Sequence, residues 1–469
     1  MAKLKIKNFG PIKEGVVDGD GYIDTKKVTV FIGNQGSGKS TVAKLISTFS
    51  WLEKAFVKEN EEITEDLSLE TLSEYLNYQN ISQYFILDKT GNVITEFDYQ
   101  GEKVNITLKD NKVSLEENKS TEYNMPKIMY VPSDRNFISA VENFRELKGL
   151  STMMYLFAAE FDKALKDSVD SLQLPIGNVQ FHYESTSRTS FIGEGEKYKI
   201  KLSEASSGYQ SLVPLYIVSS YLTRLVKLER DENRMLLSGG IHKYLSLSEE
   251  EVAMIKYKES IKLEKEEIIS KMEKLVKESE NNLRKTPKER LSVINSNYKN
   301  IIRYSQRLDE IWKIEMDFFK NKNLNILKPY LYHSFLNIVE EPEQNLYPSS
   351  QRIMLNSLLA LNNELDENRL VITTHSPYLI NYLTLAVKGK MVLDTIGDNQ
   401  EKRERFHKIV PEESVINGEE LVIYQLDEKE GTIRKLDTYK GMPSDENWLN
   451  EQLGEFNDDY ATLLEIEKF

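Results

Sequence analysis

The chain has 469 residues, no cysteine, and a formal charge of −14 from 61 basic and 75 acidic residues. This length suits two or three domains better than one compact core. The lack of cysteine excludes disulfides and cysteine nucleophiles, and the acidic balance disfavours a surface coated for nonspecific DNA binding. Because no run of 18 apolar residues occurs and the amino terminus lacks the apolar segment of a signal peptide, we expect a cytoplasmic protein without a membrane span.

The first elements lead into a glycine-rich motif. Leu4 and Ile6 alternate with lysines, which predicts a half-buried strand, and the apolar residues 28–32 predict a fully buried one. Residues 33–40 read GNQGSGKS and match the phosphate-binding loop G-x-x-x-x-G-K-[ST], with a helical pattern following over residues 41–49. This strand–loop–helix order predicts a site for a nucleoside triphosphate with magnesium. A glycine-rich turn carrying a chance lysine is the alternative.

The chemistry of such a loop assigns a role to each residue type. The glycines let the backbone aim several N–H groups at one point, and the following helix adds its positive end. Lys39 is expected to bind the β- and γ-phosphates, and the hydroxyl of Ser40 to ligate magnesium. The predicted nucleotide-binding residues are Gly33, Asn34, Gln35, Gly36, Ser37, Gly38, Lys39, Ser40 and Thr41.

The next 170 or so residues predict an α/β arrangement. Residues 53–75 are acidic with a helical pattern, residues 84–115 suggest a small antiparallel meander, and residues 127–132 suggest a short inner strand. Helical material is expected over residues 137–172. Ser206, Ser207, Gly208 and Gln210 precede an apolar run and look like the start of a helix, whose backbone donors could bind a phosphate.

Residues 248–323 differ from the rest because they are rich in lysine and glutamate and poor in glycine. A heptad seam with two polar exceptions runs through them at Leu291, Ile294, Tyr298, Ile301, Ser305, Leu308, Trp312, Glu315 and Phe319. We expect an antiparallel coiled-coil hairpin with its tip near Pro287 and arms of about 50 Å, at 1.5 Å per residue. Two helices packed on the main core are the alternative. The basic residues at the tip could contact nucleic acid, although a solvated turn is the simpler reading.

Two later strands complete the nucleotide site. The apolar residues 335–339 end in Glu340 and Glu341, which we expect to hold magnesium and to polarise the attacking water, respectively. The run 371–374 ends at His375, which could bind the γ-phosphate and sense hydrolysis. A structural histidine and an exposed acidic turn are the alternatives. The predicted catalytic residues are Glu341 and His375, and the predicted magnesium ligands are Ser40 and Glu340.

The order and spacing of these motifs resemble those of one ATPase superfamily. The opening LKIKNFGPI resembles the first strand of RecF-, SMC- and OLD-type ATPases, and residues 33–40 look like their Walker A motif. Residues 206–210 are similar to the ABC signature, residues 335–341 to Walker B, residues 343–348 to the D-loop, and His375 to the switch histidine. The resemblance implies an ABC-type head divided into residues 1–226 and 327–469, with the hairpin inserted at residues 227–326.

The chain departs from the superfamily in three places. Glu340 stands where most members have aspartate, the signature carries Ser206 and Tyr209 where LSGGQ would differ, and the hairpin follows the signature instead of preceding it. The usual Q-loop glutamine has no clear match. Residues 130–135, YVPSDR, resemble the Tyr-x-Pro-x-[Asp/Glu]-Arg segment of defence-associated ATPases, and we expect them near that position.

Within the superfamily, the short hairpin and the EEPE motif look most like the ATPases of anti-phage defence systems, with the PARIS type first and the Septu and retron types next. That resemblance implies ATP and Mg²⁺ as cofactors, a head-to-head dimer or a hexamer or other higher oligomer, a separate TOPRIM-type nuclease effector, and a phage-encoded trigger protein. A TOPRIM nuclease needs an Asp-x-Asp cluster, and Asp394 and Asp398 do not form one, so the nuclease is expected on a partner. The rival hypotheses are a scaffold that binds nucleotide with negligible turnover and a RecF-like DNA repair ATPase. A transporter subunit fits least, and direct DNA binding stays open.

Overall fold

The computed structural model describes residues 2–59, 67–118, 123–141, 144, 149–167, 171–238, 268, 270–271 and 332–467. The chain divides into two compact units, Met1–Arg230 with Pro329–Phe469, and Asp231–Lys328. Nearly all of the second unit lies outside the described residues. The predicted hairpin at residues 227–326 therefore remains a prediction.

The elements of the first unit follow in chain order. Its strands are β1 (Lys3–Lys7), β2 (Gly15–Val16), β3 (Ile23–Asp24), β4 (Val28–Gly33), β5 (Glu96–Gln100), β6 (Val104–Lys109), β7 (Lys112–Glu117), β8 (Pro126–Val131), β9 (Leu172–Gln173), β10 (Gln180–Glu184), β11 (Thr189–Gly193), β12 (Lys199–Lys201), β13 (Ser334–Glu340), β14 (Arg369–Thr374), β15 (Leu421–Leu426), β16 (Thr432–Lys435), β17 (Thr438–Tyr439) and β18 (Met442–Pro443). Its helices are α1 (Lys39–Glu59), α2 (Leu69–Tyr78), α3 (Asn136–Ala140), α4 (Thr152–Asp167), α5 (Ser207–Ser238, which crosses into the second unit), α6 (Pro348–Asn363), α7 (Pro377–Ile396), α8 (Gln400–His407) and α9 (Trp448–Glu467).

A seven-stranded sheet with the order β2-β16-β15-β4-β14-β13-β8 forms the centre. The five adjacent strands β15, β4, β14, β13 and β8 run parallel to one another, and β4 and β13 are buried along their whole length. Alternate residues of β4 face opposite sides: Val28, Val30 and Ile32 pack into one core cluster, and Phe31 into the other. Both faces of the sheet are therefore covered, as parallel strands with continuous apolar runs require.

One face of the central sheet carries α1, α2 and a second, antiparallel sheet with the order β3-β1-β5-β6-β7. The alternating burial of β1 places Leu4 and Ile6 in this core and turns its lysines outward. The predicted antiparallel meander is present, although its strands begin at Glu96. The opposite face carries α4 to α7 and a four-stranded sheet, β12-β11-β10-β9, which the sequence analysis did not anticipate.

Two local predictions need correction. Residues 126–131 form β8, which is the outermost of the described strands of the central sheet and not an inner one, because its one partner among the described strands is β13. The acidic helical stretch predicted over residues 53–75 belongs to two helices, α1 and α2, with residues 60–66 outside the described part. Among the described helices, none is both long enough and apolar enough to cross a membrane.

Candidate nucleotide site

The predicted site residues follow three neighbouring parallel strands. Strands β4, β13 and β14 end at Gly33, Glu340 and Thr374, and the register pairs Ile32 with Thr374 and Glu340 with Thr373. Because the carboxyl ends of parallel strands meet at one edge of a sheet, the glycine-rich loop, the two glutamates and His375 are gathered there. Open α/β sheets bind ligands at this edge.

The glycine-rich loop turns as its motif predicts. Gly33 has φ +149°, and a Cβ there would lie 2.4 Å from the carbonyl oxygen of Leu426, so the loop tolerates only glycine at this position. Gly38 has φ +99°, and its Cβ would lie 3.0 Å from Cγ of Pro11. Lys39 begins α1, and its Nζ donates to the carbonyl oxygens of Gly33 and Asn34, each at 2.8 Å. The ammonium group therefore lies against the backbone of the loop.

Burial lowers the pKa of Lys39 to about 8, and carboxylates facing it oppose that shift. Those carboxylates belong, in decreasing order of effect, to Glu341, Glu343, Glu428 and Glu340. An anionic ligand would stabilise the charged form of this desolvated ammonium group and so raise its pKa again. The loop is therefore prepared for a phosphate.

The remaining loop residues divide by exposure. Asn34 donates through Nδ2 to Oε1 of Glu428 at 2.9 Å, while Gln35 and Ser40 are exposed. Ser37 and Thr41 are buried, and Oγ of Ser37 has no hydrogen-bond partner among the described residues. A buried hydroxyl without a partner fits a loop that completes its hydrogen bonds with a bound ligand.

Glu340 is anchored by one neighbouring segment. Its carboxylate is buried, with Oε1 accepting from the Tyr130 hydroxyl at 2.6 Å and Oε2 from the backbone N–H of Ser133 at 3.1 Å. Burial and the adjacent carboxylate raise the pKa of Tyr130 well above its usual value, so its hydroxyl stays a donor. An oriented carboxylate at this edge, with the hydroxyl of Ser40, matches the hard oxygen ligands that Mg²⁺ prefers in company with nucleotide phosphates.

Glu341 and His375 form a pair. The His375 Nε2 lies 3.3 Å from Oε1 of Glu341, and about a third of each side chain is exposed. The hydrogen bond from His375 lowers the pKa of Glu341 most, Lys39 and Arg135 lower it further, and burial opposes them. Glu341 has φ +43°, a conformation uncommon outside glycine, and its N–H donates to the carbonyl of Thr373 at 2.9 Å. An ionised carboxylate that is held beside a histidine, on a residue with a strained backbone, suits the activation of water.

Arg135 is a central residue that the sequence analysis did not single out. It is 0% exposed, and its guanidinium donates to the carbonyl oxygens of Glu340 at 2.7 Å and Glu341 at 2.8 Å. Its Nε donates to the carbonyl of Ser211, the fifth residue of α5, at 3.1 Å. Burial lowers the pKa of Arg135 to about 10, against the opposing effect of nearby glutamates. The YVPSDR segment therefore lies against the two glutamates, and the arginine ties them to α5.

The predicted signature residues form the start of α5, which begins at Ser207. In this chain they meet the predicted D-loop: a Cβ on Gly208 would lie 3.0 Å from the Asn345 carbonyl, and Asn345 Nδ2 donates to Oγ of Ser211 at 3.0 Å. A cavity of about 260 Å³ lies between the two segments. Gln210 turns back and donates to the carbonyl of Ser203 at 2.9 Å.

A family model described as an AAA ATPase domain matches residues 1–380. The chain belongs to this family. Among solved structures, the SMC head domain from Thermotoga maritima is similar at 10% identity over 93% of this chain and 98% of that chain, with a TM-score of 0.34. A comparison with curated proteins finds no match.

Membership of an ATPase family confirms the coarse prediction made from the loop at residues 33–40, namely an α/β ATPase domain. The structure also brings the loop, Glu340, Glu341 and His375 to one edge, as their positions after strands predicted. The roles assigned to individual residues and the action of the signature on a second copy stay predictions. Tyr130, Arg135 and Glu343 were not anticipated, and the only signal for the first two was the YVPSDR resemblance.

Proposed function

We propose that this chain binds ATP with Mg²⁺ and hydrolyses it. Lys39 and the backbone of residues 33–40 hold the phosphates, while Ser40 and Glu340 hold the cation, which would neutralise charge on the phosphates. Glu341 orients and polarises the attacking water, and His375 keeps that carboxylate ionised and in place. The observation that carries the proposal is the 3.3 Å contact between Glu341 and His375 at the edge where the Lys39 loop ends.

The proposed catalytic unit contains two copies of the chain. The N-terminus of α5, with Ser206, Ser207, Gly208 and Gln210, would meet the γ-phosphate held by the other copy. The positive end of a long helix favours an anion there. In this arrangement Glu341 and His375 supply the hydrolytic chemistry, and the second copy completes the phosphate site.

The proposed cellular role is that of an ATP-dependent sensor in an anti-phage complex like PARIS, where this chain would correspond to the ATPase subunit AriA. It would hold a separate TOPRIM-type nuclease and release it on meeting a phage anti-restriction protein. Support comes from the resemblance of the EEPE and YVPSDR motifs to defence-associated ATPases. The alternatives within the same fold are a Septu or retron ATPase and a RecF-like repair ATPase.

Phosphate release by the purified protein tests the proposal. The wild type should hydrolyse ATP with Mg²⁺, Lys39→Ala should lose nucleotide binding, and Glu341→Gln should bind ATP without turning it over. Native mass spectrometry of Glu341→Gln with ATP should show a higher oligomer than the nucleotide-free protein. Normal turnover by Glu341→Gln would remove Glu341 from the mechanism, and stimulation by duplex DNA that weakens with salt would favour the repair alternative.

A further inference from the structure

Glu343 lies between the predicted D-loop and the segment that carries His375. Its Oε1 accepts two hydrogen bonds, from the Thr374 hydroxyl at 2.6 Å and from the backbone N–H of His375 at 2.8 Å. The Thr374 hydroxyl in turn accepts from the N–H of Ser376 at 2.9 Å. One carboxylate oxygen therefore fixes the backbone on which the His375 ring stands.

The same residue also shapes the turn after the catalytic glutamate. The N–H of Gln344 donates to the carbonyl of Glu341 at 3.0 Å, and the N–H of Leu346 donates to the carbonyl of Glu343 at 2.9 Å. Glu343 is thus held by its backbone next to Glu341 and by its side chain next to His375. Glu343 therefore links the chain segment that carries Glu341 to the segment that carries His375.

The environment of Glu343 is unusual for an acidic residue. Burial raises its pKa, and its Oε2 is buried with no hydrogen-bond partner among the described residues. Retaining a buried, half-satisfied carboxyl group is costly unless its other oxygen does something that an apolar side chain could not do. The contacts of Oε1 supply that reason.

We infer that Glu343 is a positioning residue for ATP hydrolysis, which acts by hydrogen-bonding the backbone of His375 and so keeps its ring against Glu341. The inference rests on the proposed function. The Glu341–His375 contact depends on where the His375 backbone lies, and among the described residues the N–H of His375 is held by Oε1 of Glu343. An amide oxygen at the same position could accept the same two bonds.

Steady-state ATP hydrolysis by purified full-length variants tests the inference. Glu343→Met removes the acceptor at nearly constant volume and should lower kcat about 100-fold, the scale on which a small misplacement of a catalytic group acts, with KM for ATP within about threefold. Glu343→Gln keeps an acceptor oxygen and should recover at least about tenfold of that loss. Glu404→Met, on an exposed face of α8, is the matched control and should leave kcat unchanged.

A double-mutant cycle separates positioning from general damage. If Glu343 acts through His375, Glu343→Met combined with His375→Ala should be no slower than the slower single variant, because both remove the same contribution. Should Glu343→Met fail to fold, Thr374→Val removes one of the two donors and should lower kcat at constant KM. A kcat for Glu343→Met within threefold of wild type, a Glu343→Gln as slow as Glu343→Met, or additive losses would overturn the inference. Absence of hydrolysis by the wild type would overturn the proposed function itself.

Discussion

Replacing Arg135 by methionine should destabilise the protein and disconnect Glu340 and Glu341 from α5. The guanidinium makes four hydrogen bonds to carbonyl oxygens, those of Glu340, Glu341, Ser211 and Pro132, at 2.7, 2.8, 3.1 and 3.2 Å. Methionine fills a similar volume but donates nothing. The four carbonyl groups would lose their shared donor in a site where Arg135 is 0% exposed.

The magnitude follows from two opposing contributions. Each hydrogen bond to a charged group contributes about 1.5–3 kcal/mol, so four give roughly 6–12 kcal/mol. Against this stands the cost of burying the cation, which is several kcal/mol and disappears in the variant. The net loss of unfolding free energy should therefore be about 3–5 kcal/mol. The kcat of the Arg135→Met variant for ATP hydrolysis should also fall, because the backbone carbonyl of Glu341 loses its hydrogen bond to the guanidinium.

Urea unfolding followed by circular dichroism measures the loss. Arg434→Met, at an exposed position in β16, is the matched control and should change the unfolding free energy by less than about 0.5 kcal/mol. The slope of the free energy against urea should stay constant, so that the shift in midpoint reports stability. A loss below about 1 kcal/mol for Arg135→Met at an unchanged slope would refute the reasoning, since it would mean that these bonds contribute little.

Two further predictions use the same site. Because burial lowers the pKa of Lys39 to about 8 in the nucleotide-free protein, its ammonium group deprotonates between pH 7 and pH 9, and ATP should bind about tenfold more weakly at pH 9 than at pH 7. A fluorescent-nucleotide titration measures the affinity at each pH, and Ser40→Ala should show the same dependence of affinity on pH. An affinity for ATP that does not change with pH would contradict the prediction. Tyr130→Phe removes the hydroxyl that anchors Glu340 and should raise the Mg²⁺ concentration for half-maximal hydrolysis by about 10-fold or more. The control is Tyr155→Phe, at a residue that is 64% exposed, and it should leave that concentration unchanged. Equal Mg²⁺ requirements for the two variants would contradict the prediction.

The parts of the site that the sequence predicted are those with local causes. Gly33, Gly38 and Lys39 lie within one eight-residue motif whose backbone demands are met by neighbouring residues. Glu341 and His375 were predicted because each follows an apolar run, and the ends of parallel strands fall at one edge. Each of these residues could be placed at a strand end from its local sequence, whereas their assembly at one edge depends on the pairing of β4, β14 and β13.

The parts that the sequence did not predict depend on contacts between distant segments. Arg135 contacts Glu340 across 205 positions of sequence, and the contact exists because β8 pairs in parallel with β13. Nothing in the local pattern around Arg135 specifies that register. The same limit explains Glu343, whose role appears only when β14 brings Thr374 and His375 beside it.

The position of β8 shows how an apolar run can mislead. The apolar pattern of residues 127–132 predicted an inner strand, and Met129, Tyr130 and Val131 are buried, yet β8 is the outermost of the described strands of its sheet. Helices α1 and α4 pack against it, so its faces are covered although one edge has no strand neighbour within the described part of the chain. Burial of the faces and the number of neighbouring strands are separate properties, and hydrophobicity reports only the first.

The length of the glutamate side chain at position 340 has a structural counterpart in the segment of residues 130–135. In the β13–β8 register Tyr130 lies opposite Ile338, two residues before Glu340, so the carboxylate must reach sideways to the neighbouring strand to accept from the Tyr130 hydroxyl. The additional methylene of glutamate lengthens that reach, and the Ser133 N–H holds the second oxygen. Residues 130–135 thus anchor the carboxylate of Glu340 and, through Arg135, the backbone of Glu340, Glu341 and α5. A displacement of the α5 N-terminus would therefore be transmitted to Glu340 and Glu341 through Arg135, which links the predicted signature residues to the two glutamates within a single chain.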